Sequence, residues 1–355
     1  MNTVLVTSTD DGIGKTAIAV ALARTAQQAG HDVGYMKPKG TRLLSATGKT
    51  RDEDPMLARE VLDLDAEMHE MEPIVYSPTF VQEAVRGRED PEELRERVVE
   101  SFEDLADGTD LMVLEGSDDL ATGGIVDLTD VDVAEAVDAR VVLISGYEDA
   151  GTADDVLAAA ETIGDRLAGV LFNGVRDSEF DELTDAVMPF LEGRGVPVLG
   201  AVPRVQELAG VTVDELARSL GADVLTADAS TDAHVERFTV GAMSGNAALE
   251  QFRRTRDAVM ITGGDRSEIQ TAALEASGIR ALVLTGGFRP ASAVLGRAEE
   301  EGVPVLLVQS DTRTTIDRVE DVLGSGRTRD SATVERMQEL LTESIDLENA
   351  LSVDL

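Results

Sequence analysis

The sequence has no cysteine and no tryptophan, and aromatic residues make up only 3% of its 355 residues. The lack of cysteine excludes disulfide bonds, thiolate metal sites and cysteine nucleophiles. The three histidines, His31, His69 and His234, are far apart and lack the spacing of a zinc site. No apolar run approaches the roughly 18 residues of a membrane span. Because the chain also opens directly with a strand pattern and not with a signal peptide, we expect a cytoplasmic protein with no membrane partner.

Lysine is scarce as well, whereas acidic residues are abundant. The only lysines are Lys15, Lys37, Lys39 and Lys49, all within the first fifty residues, which indicates anion chemistry there. Asp and Glu number 69 against 31 Lys and Arg, for a net charge of −38 spread along the whole chain. Such a surface repels nucleic acid, which we therefore do not expect as a partner. It is typical of a protein that works in high salt, so we expect a halophilic source.

The clearest motif is the stretch VLVTSTDDGIGKT at residues 4–16, which predicts a strand, a phosphate-binding loop and the start of a helix. Glycines let backbone N–H groups point into one concavity, Lys15 adds a charge, and the Thr16 hydroxyl can reach a magnesium ion. The usual spacing would need glycine where this chain has Thr9, so an ordinary turn is the alternative. The predicted nucleotide-binding residues of the loop are Asp11, Gly12, Ile13, Gly14, Lys15, Thr16 and Ala17.

Other polar residues follow predicted strands of the same sheet. Lys37 ends a strand at 32–37, and Glu115 ends a buried strand at 110–116, where a carboxylate can order magnesium or an attacking water. Asp54 precedes a helix at 56–61 and either caps it or binds magnesium, with Asp52 as a rival. The polar composition of residues 41–53, between Lys37 and Asp54, predicts a mobile loop. Asn173 ends a strand at 167–173 and either reads a purine edge or turns the chain.

Strands alternate with helices up to about residue 210, which predicts an α/β fold: a P-loop parallel sheet with helices on both faces. A second alternating series from about residue 212 predicts a smaller α/β domain, with strands near 224–227, 238–243, 258–262, 281–285 and 303–309. We expect helices near 213–220, 247–254, 267–276, 291–301 and 314–323. The predicted domains are therefore 1–210, 211–325 and a helical tail, 326–355, whose apolar stripe either covers the sheet or forms a homodimer.

The turns of the second series carry the motifs of a ligand-binding rim. Because the carboxyl ends of parallel strands share one edge of a sheet, glycine, hydroxyl and arginine groups collect there. The alternative is that the glycines shape tight turns while the aspartates cap helices. The candidate ligand residues of this rim are Asp265, Arg266, Thr285, Gly286, Gly287 and Asp311.

The first half resembles dethiobiotin synthetase, on the residues Gly14-Lys15-Thr16, Lys37-Pro38 and Glu115-Gly116. The resemblance implies that Thr16, Asp54 and Glu115 hold Mg²⁺, that Lys15 and Lys37 act on the phosphates, and that Asn173 faces the adenine of ATP. The whole chain resembles proteins similar to the N-terminal region of long phosphate acetyltransferases, in which a DRTGG domain follows. That second domain matches here on Asp265-Arg266 and Thr285-Gly286-Gly287.

These features predict an ATP- and Mg²⁺-binding protein with a DRTGG domain for regulation or self-association, connected with acetyl-CoA and acetate metabolism. Because the acetyltransferase domain of the long enzymes has no counterpart here, we do not expect phosphate acetyltransferase activity. Two alternatives stay open. One is an ATP-dependent ligase acting on a small carboxylic acid or carbamate gripped by Lys37 and Lys39. The other is a non-catalytic partner of a metabolic enzyme, favoured by Ser8 and Thr9 in place of glycine.

Overall fold

The computed structural model describes residues 1–41, 43–46, 49–205, 208, 210–227, 229–241, 252, 255–325 and 330–351. By their internal contacts these residues form two compact units. Unit 1 comprises Met1–Val205 together with Thr328–Leu355, and unit 2 comprises Gln206–Arg327. None of the described helices is both long and apolar enough to cross a membrane.

Unit 1 is built on a six-stranded sheet in which every neighbouring pair is parallel. Its spatial order is β10-β9-β8-β1-β7-β2, so the first strand of the chain lies near the centre, between β7 and β8. The sheet strands are β1 (Asn2–Ser8), β2 (Val33–Met36), β7 (Leu111–Glu115), β8 (Arg140–Ser145), β9 (Leu167–Val175) and β10 (Val198–Pro203). The predicted P-loop parallel sheet is confirmed, and this order puts the ends of β1 and β7 side by side.

Helices and two short strand pairs surround this sheet. The helices are α1 (Lys15–Gln28), α2 (Glu53–Val61), α3 (Met68–Met71), α4 (Pro78–Val85), α5 (Pro91–Ala106), α6 (Asp130–Ala136), α7 (Thr152–Ile163), α8 (Asp177–Glu182) and α9 (Met188–Gly193). The short strands are β3 (Lys39–Gly40), β4 (Leu43–Ala46), β5 (Lys49–Asp52) and β6 (Ile74–Val75), which pair as β3 with β6 and β4 with β5. A turn of π-helix at Leu183–Val187 joins α8 to α9.

The predicted mobile loop at 41–53 is wrong for the residues that the structure describes. There β4 and β5 form an antiparallel hairpin, with Leu43 opposite Asp52 and Ala46 opposite Lys49. Residues 42, 47 and 48 lie outside the described part. The polar composition suggested a loop, but the backbone pairs as an antiparallel hairpin.

Unit 2 contains a five-stranded sheet in the order β12-β17-β16-β15-β14. Four strands are parallel, but the short edge strand β12 runs antiparallel to β17, which the sequence pattern did not predict. The strands of this unit are β11 (Val211–Thr212), β12 (Asp223–Val224), β13 (His234–Val235), β14 (Arg237–Val240), β15 (Ala258–Gly263), β16 (Ile279–Thr285) and β17 (Val305–Leu307). The helices are α10 (Val213–Leu220), α11 (Ser267–Leu274), α12 (Ser292–Glu300) and α13 (Thr312–Ser325).

Alternate residues of the unit 2 strands face two separate cores. Leu282 and Leu284 of β16 join one apolar cluster, and Ala281 and Val283 of the same strand join the other. Burial on both faces explains why these strands are almost uninterrupted apolar runs. The helix expected at 247–254 falls outside the described residues apart from Phe252, which is buried.

The last two helices, α14 (Ser331–Ser344) and α15 (Leu347–Leu351), return to unit 1. The apolar stripe of α14 is buried in the chain itself, at Val334, Met337, Leu340 and Leu341. Arg24 of α1 pairs with Glu335 at 2.9 Å, and Gln338 donates to Gln28 at 2.7 Å. This contact explains why α1 is buried along most of its length: it faces the sheet on one side and α14 on another.

Candidate functional site

The loop after β1 leaves the start of α1 open. Gly14 precedes the helix in the left-handed region, at φ 91°, and supplies no side-chain cap. Since the first N–H groups of a helix have no partner within it, those of Lys15 and its neighbours point outward. No acidic residue lies in the first turn itself, which carries the positive end of the helix dipole. These features suit an anion.

Lys15 lies across this loop and is buried. Its Nζ donates to Ser8 Oγ and to the backbone carbonyl of Asp118, each at 2.6 Å. Ser8 Oγ in turn donates to the carbonyl of Asp10 at 2.7 Å, so the residue that replaces the first glycine closes the loop with its side chain. Burial lowers the pKa of Lys15, while the charge of Glu115 opposes that effect. Lys15 is thus held by neutral acceptors beside the open helix end.

Asn173 supports the same loop from the end of β9. Its Nδ2 donates to the carbonyl of Ile13 at 2.8 Å. A Cβ atom on Gly14 would lie 2.7 Å from that nitrogen, so any larger residue would push the Asn173 amide aside in addition to straining the left-handed backbone. The place of Asn173 beside an adenine ring stays a prediction.

Next to the loop, three buried carboxylates converge on one lysine. Lys37 Nζ forms a short ion pair with Asp54 and lies 3.3 Å from both Asp52 Oδ2 and Glu115 Oε1. Thr16 donates to Glu115 Oε1 at 2.7 Å, which ties this cluster to the phosphate loop. Asp52 also caps α2 by accepting from the backbone N–H of Asp54, so both aspartates belong to the site. We call Lys37, Asp52, Asp54 and Glu115 the acidic cluster.

Charge and burial shift the pKa values in the acidic cluster. Burial raises the pKa of Glu115 to about 7, and Asp54 adds to the rise, while Lys37 acts against it. Burial by itself would lower the pKa of Lys37, but the three carboxylates outweigh it and hold that pKa above its ordinary value. Tyr35 donates to Glu115 Oε2 at 2.5 Å, a contact that sequence reasoning missed because nothing in the motif marks a tyrosine two residues before the lysine.

Lys39, which was expected to bind an acidic substrate together with Lys37, donates all three of its N–H bonds to other groups. Its Nζ donates to the carbonyls of Thr122 and Leu128 at 3.0 and 2.5 Å and to Asp130 at 3.1 Å. Asp130 also accepts from Thr7 at 2.6 Å. Three acceptors match the three N–H bonds of an ammonium. Lys39 therefore fixes the segment after β7 to the sheet.

The acidic cluster has the chemistry that Mg²⁺ prefers, since its donors are carboxylate and hydroxyl oxygens. Thr16, Asp54 and Glu115 offer three such donors in contact with one another or with Lys37. Its charge also fits, because three carboxylates outnumber the single ammonium. Within the described residues, however, no group of three or more acidic, histidine or cysteine side chains is arranged to hold a metal by itself. The residues fit a magnesium ion with Thr16 as a ligand.

In unit 2, the turns after four strands are bonded to one another. Arg266 Nη1 donates to the carbonyl of Gly241 at 2.7 Å, and the Thr285 and Thr312 hydroxyls are 2.8 Å apart. Gly286 and Gly287 have φ of 80° and 71°, which explains the Gly-Gly pair by backbone conformation. The predicted rim residues are therefore brought together, although residues 242–251, which follow β14, lie outside the described part.

Two rim aspartates differ in role. Asp311 accepts from the backbone N–H groups of Arg313 and Thr314, at 2.9 and 3.1 Å, and so caps α13. These bonds, above all those from Thr314, lower the pKa of Asp311. Asp265 is exposed at the start of α11, whose N-cap residue is Arg266 and has no side-chain cap bond. A ligand role for Asp265 stays a prediction.

Comparison with known families follows the same division of the chain. The family model described as an AAA domain matches residues 2–212, more than half of the chain. The chain belongs to this family. A second model, described as a DRTGG domain, matches residues 215–322 of this AAA-domain protein. Together the two matches confirm the predicted order of a P-loop domain followed by a DRTGG domain.

Curated relatives of this AAA-domain protein include phosphate acetyltransferases. That of Pseudomonas putida strain KT2440 is 26% identical over 337 residues, covering 90% of this chain and 47% of the relative. That of Pseudomonas aeruginosa strain PAO1 is 24% identical over 375 residues, covering 98% and 51%. A cobyric acid synthase from Halorhodospira halophila is 29% identical over 230 residues, covering 58% and 47%. The chain spans about half the length of these relatives.

Solved structures show a weaker likeness. The cell division protein MinD of Aquifex aeolicus is 14% identical, with a TM-score of 0.37, covering 59% of this chain and 84% of MinD. The CBS and DRTGG domains of the regulatory region of Clostridium perfringens pyrophosphatase, complexed with the activator diadenosine tetraphosphate, are 15% identical, with a TM-score of 0.30. That match covers 48% of this chain and 85% of the other.

Proposed function

We propose that the AAA domain binds ATP with Mg²⁺ and hydrolyses it or transfers its terminal phosphoryl group. The observation that carries this proposal is the convergence of the open α1 N-terminus, buried Lys15 and the acidic cluster at neighbouring strand ends. A bound phosphate needs donors and positive charge, and a bound magnesium ion needs oxygen ligands. Both sets are adjacent because Thr16 contacts Glu115.

In this proposal each side chain has a distinct task. The backbone N–H groups of residues 12–17 and the Lys15 ammonium bind the phosphates, while Thr16, Asp54 and Glu115 hold the metal. When bound, Mg²⁺ neutralises the negative charge that develops on the phosphate oxygens. Lys37 adds a cation for the transferred group, Tyr35 and Thr16 orient Glu115, and Asn173 fixes the loop through Ile13.

The experiment is equilibrium binding of a fluorescent ATP analogue, displaced by ATP, with Mg²⁺ present. Lys15→Ala should weaken binding by at least about tenfold, since the loss of one charge-assisted hydrogen bond removes roughly 1.5–3 kcal/mol. Arg24→Gln is the matched control: it removes one positive charge from the same helix, further along, where Arg24 pairs with Glu335. Unchanged binding in Lys15→Ala, or an equal loss in Arg24→Gln, would rule out the assigned role of the loop.

Turnover measurements separate the reaction classes. ATP consumption without any added acid indicates a hydrolase, whereas consumption that depends on a small carboxylic acid or carbamate indicates a ligase. In the ligase case Lys37 alone would face the acid, because Lys39 is saturated. We propose no acetyl transfer at this site; the similarity to phosphate acetyltransferases supports a role beside acetyl-CoA and acetate metabolism, as a regulatory module or partner of such an enzyme.

For the DRTGG domain we propose the binding of a small anionic regulator, with a nucleotide as the first candidate. Gln270 favours a nucleotide: it is fully buried, its Nε2 donates to the carbonyl of Gly263, and its Oε1 has no partner among the described residues. Such an acceptor suits a donor like the amino group of a base. Arg266, one helical turn before Gln270, is exposed, and so is Phe288, which lies against Gly264 and Gly286 of the same rim and is 65% exposed. Titration of the whole chain with AMP, comparing Arg266→Gln with the helix variant Arg297→Gln, tests the proposal. It fails if AMP does not bind or if both variants behave alike.

A further inference from the structure

Lys37 lies at the centre of the acidic cluster and not at its edge. Its Nζ contacts a carboxylate oxygen of each acid: Asp54 in a short ion pair, and Asp52 and Glu115 at 3.3 Å. The four side chains are between 0% and 4% exposed, so water does not share these contacts appreciably. The Lys37 ammonium thus occupies the position on which the three carboxylates converge.

That point is also where a magnesium ion would need to be. Glu115 Oε1 accepts both from Lys37 Nζ and from the Thr16 hydroxyl, at 3.3 and 2.7 Å, so the same oxygen faces the lysine and the phosphate loop. Asp54, the other proposed carboxylate ligand, makes its short contact with the same Nζ. A cation cannot reach both carboxylates without taking over the contacts of Lys37.

We propose that the Lys37 ammonium stands in for Mg²⁺ in the nucleotide-free protein, and that metal binding displaces it and frees it for the phosphates. This inference rests on the proposed metal and nucleotide site. It makes Lys37 a competitor for the metal and, after displacement, a positioning residue for the phosphoryl group. The coupling between the two cations is reciprocal: removing Lys37 from the cluster raises metal affinity, and metal binding weakens the hold of the cluster on Lys37 by the same free energy.

Lys15 provides a contrast within the same site. Its Nζ is held by Ser8 Oγ and the Asp118 carbonyl, which are both neutral acceptors. Phosphate can take over from such neutral acceptors without help from a metal. Different ligands therefore release the two lysines from their present contacts: phosphate releases Lys15, and the metal releases Lys37.

The test is binding of Mn²⁺, as a paramagnetic probe for Mg²⁺, measured by electron paramagnetic resonance without nucleotide. The main variant is Lys37→Gln combined with Asp52→Asn, which removes the ammonium and one carboxylate and so keeps the net charge of the cluster. Asparagine can still cap α2, which protects the fold. We expect this variant to bind Mn²⁺ at least about tenfold more tightly than the wild type.

Lys15→Gln is the second arm, because it removes a nearby positive charge without vacating the acidic cluster. We expect a change of less than about threefold. Equal Mn²⁺ affinity in the wild type and the charge-matched variant would overturn the inference, as would an equal gain in Lys15→Gln. ATP titrations of the wild type distinguish the two proposals. If the charge-matched variant binds Mn²⁺ more tightly but the wild type does not bind ATP, only the proposed function fails. If the wild type binds Mg–ATP but the variant shows no gain in Mn²⁺ affinity, only the inference about Lys37 fails.

Discussion

Gly14 and Asn173 show how one contact between distant residues shapes the phosphate loop. Asn173 donates to the carbonyl of Ile13, and Gly14 leaves room for its amide. Many residue types can precede a helix, but here the left-handed backbone favours glycine, and a Cβ atom would push the Asn173 amide away from Ile13. The loop geometry thus depends on β9 as much as on the motif itself.

Gly14→Ala should abolish nucleotide binding while leaving the fold intact. The matched control is Gly30→Ala: Gly30 also has a positive φ, of 100°, but a Cβ there meets nothing within 4 Å. Each variant carries the left-handed backbone cost of roughly 1–2 kcal/mol, and Gly14→Ala adds the cost of moving the Asn173 amide. Only Gly14→Ala should lose binding of the fluorescent ATP analogue. Normal binding by Gly14→Ala would show that the contact with Asn173 is dispensable.

The raised pKa of Glu115 gives the metal site a pH dependence. In the folded protein this carboxyl is protonated below about pH 7, whereas in the unfolded chain it ionises near 4.5. Metal binding requires the ionised form, so Mn²⁺ affinity should be about tenfold lower at pH 6 than at pH 8 and level off above that. Glu115→Gln should bind Mn²⁺ weakly at both values. Equal affinity of the wild type at pH 6 and pH 8 would contradict the assignment.

The sequence predicted the residues of the candidate site better than their partners. Lys15, Thr16 and Glu115 stand in a loop motif or at the end of an apolar strand, and parallel strands bring such ends together. The partners of Lys15 and Lys39 could not be predicted, because several are backbone carbonyls that are distant in the chain. Tyr35 was missed because a tyrosine inside a buried strand gives no signal of its hydrogen bond.

At the scale of elements, α14 belongs to unit 1 although it follows the DRTGG domain in sequence. The apolar stripe could be predicted, but the sequence does not specify which surface covers it. A dimer partner and the chain's own sheet were both consistent with it. In the structure α14 packs on α1, and Ile345 pairs with Gly200 of β10. The stripe therefore gives no support to the expected homodimer, which stays a prediction.

Leu341→Ala should destabilise unit 1 by about 2–5 kcal/mol, because Leu341 is fully buried and its truncation leaves a cavity. Glu343→Ala, exposed on the same helix, is the control and should change little. All three tyrosines, Tyr35, Tyr76 and Tyr147, lie in unit 1 and the chain has no tryptophan, so tyrosine fluorescence follows this unit alone during denaturation. An unshifted fluorescence midpoint in Leu341→Ala would show that α14 does not stabilise unit 1.

At the scale of the whole molecule, the charge of −38 is the dominant feature. Like charges repel in the compact state, and salt screens that repulsion over about 10 Å at 0.1 M and about 3 Å at 1 M. The free energy of unfolding should therefore rise as potassium chloride increases, with most of the gain below about 1 M. Denaturation midpoints of unit 1, followed by tyrosine fluorescence, would check this for that unit, and sucrose, which does not screen charge, is the control. Denaturation midpoints that do not change with potassium chloride would contradict the expectation that the protein is halophilic.

The most direct test of the ATP site is calorimetric titration of the whole chain with Mg–ATP in about 1 M potassium chloride, where repulsion is screened. We predict one site per chain that is lost in Lys15→Ala and weakened when Mg²⁺ is omitted; any further site that survives Lys15→Ala belongs to the DRTGG domain. A wild-type chain that shows no binding at millimolar Mg–ATP, or binding that Lys15→Ala leaves unchanged, would contradict the account.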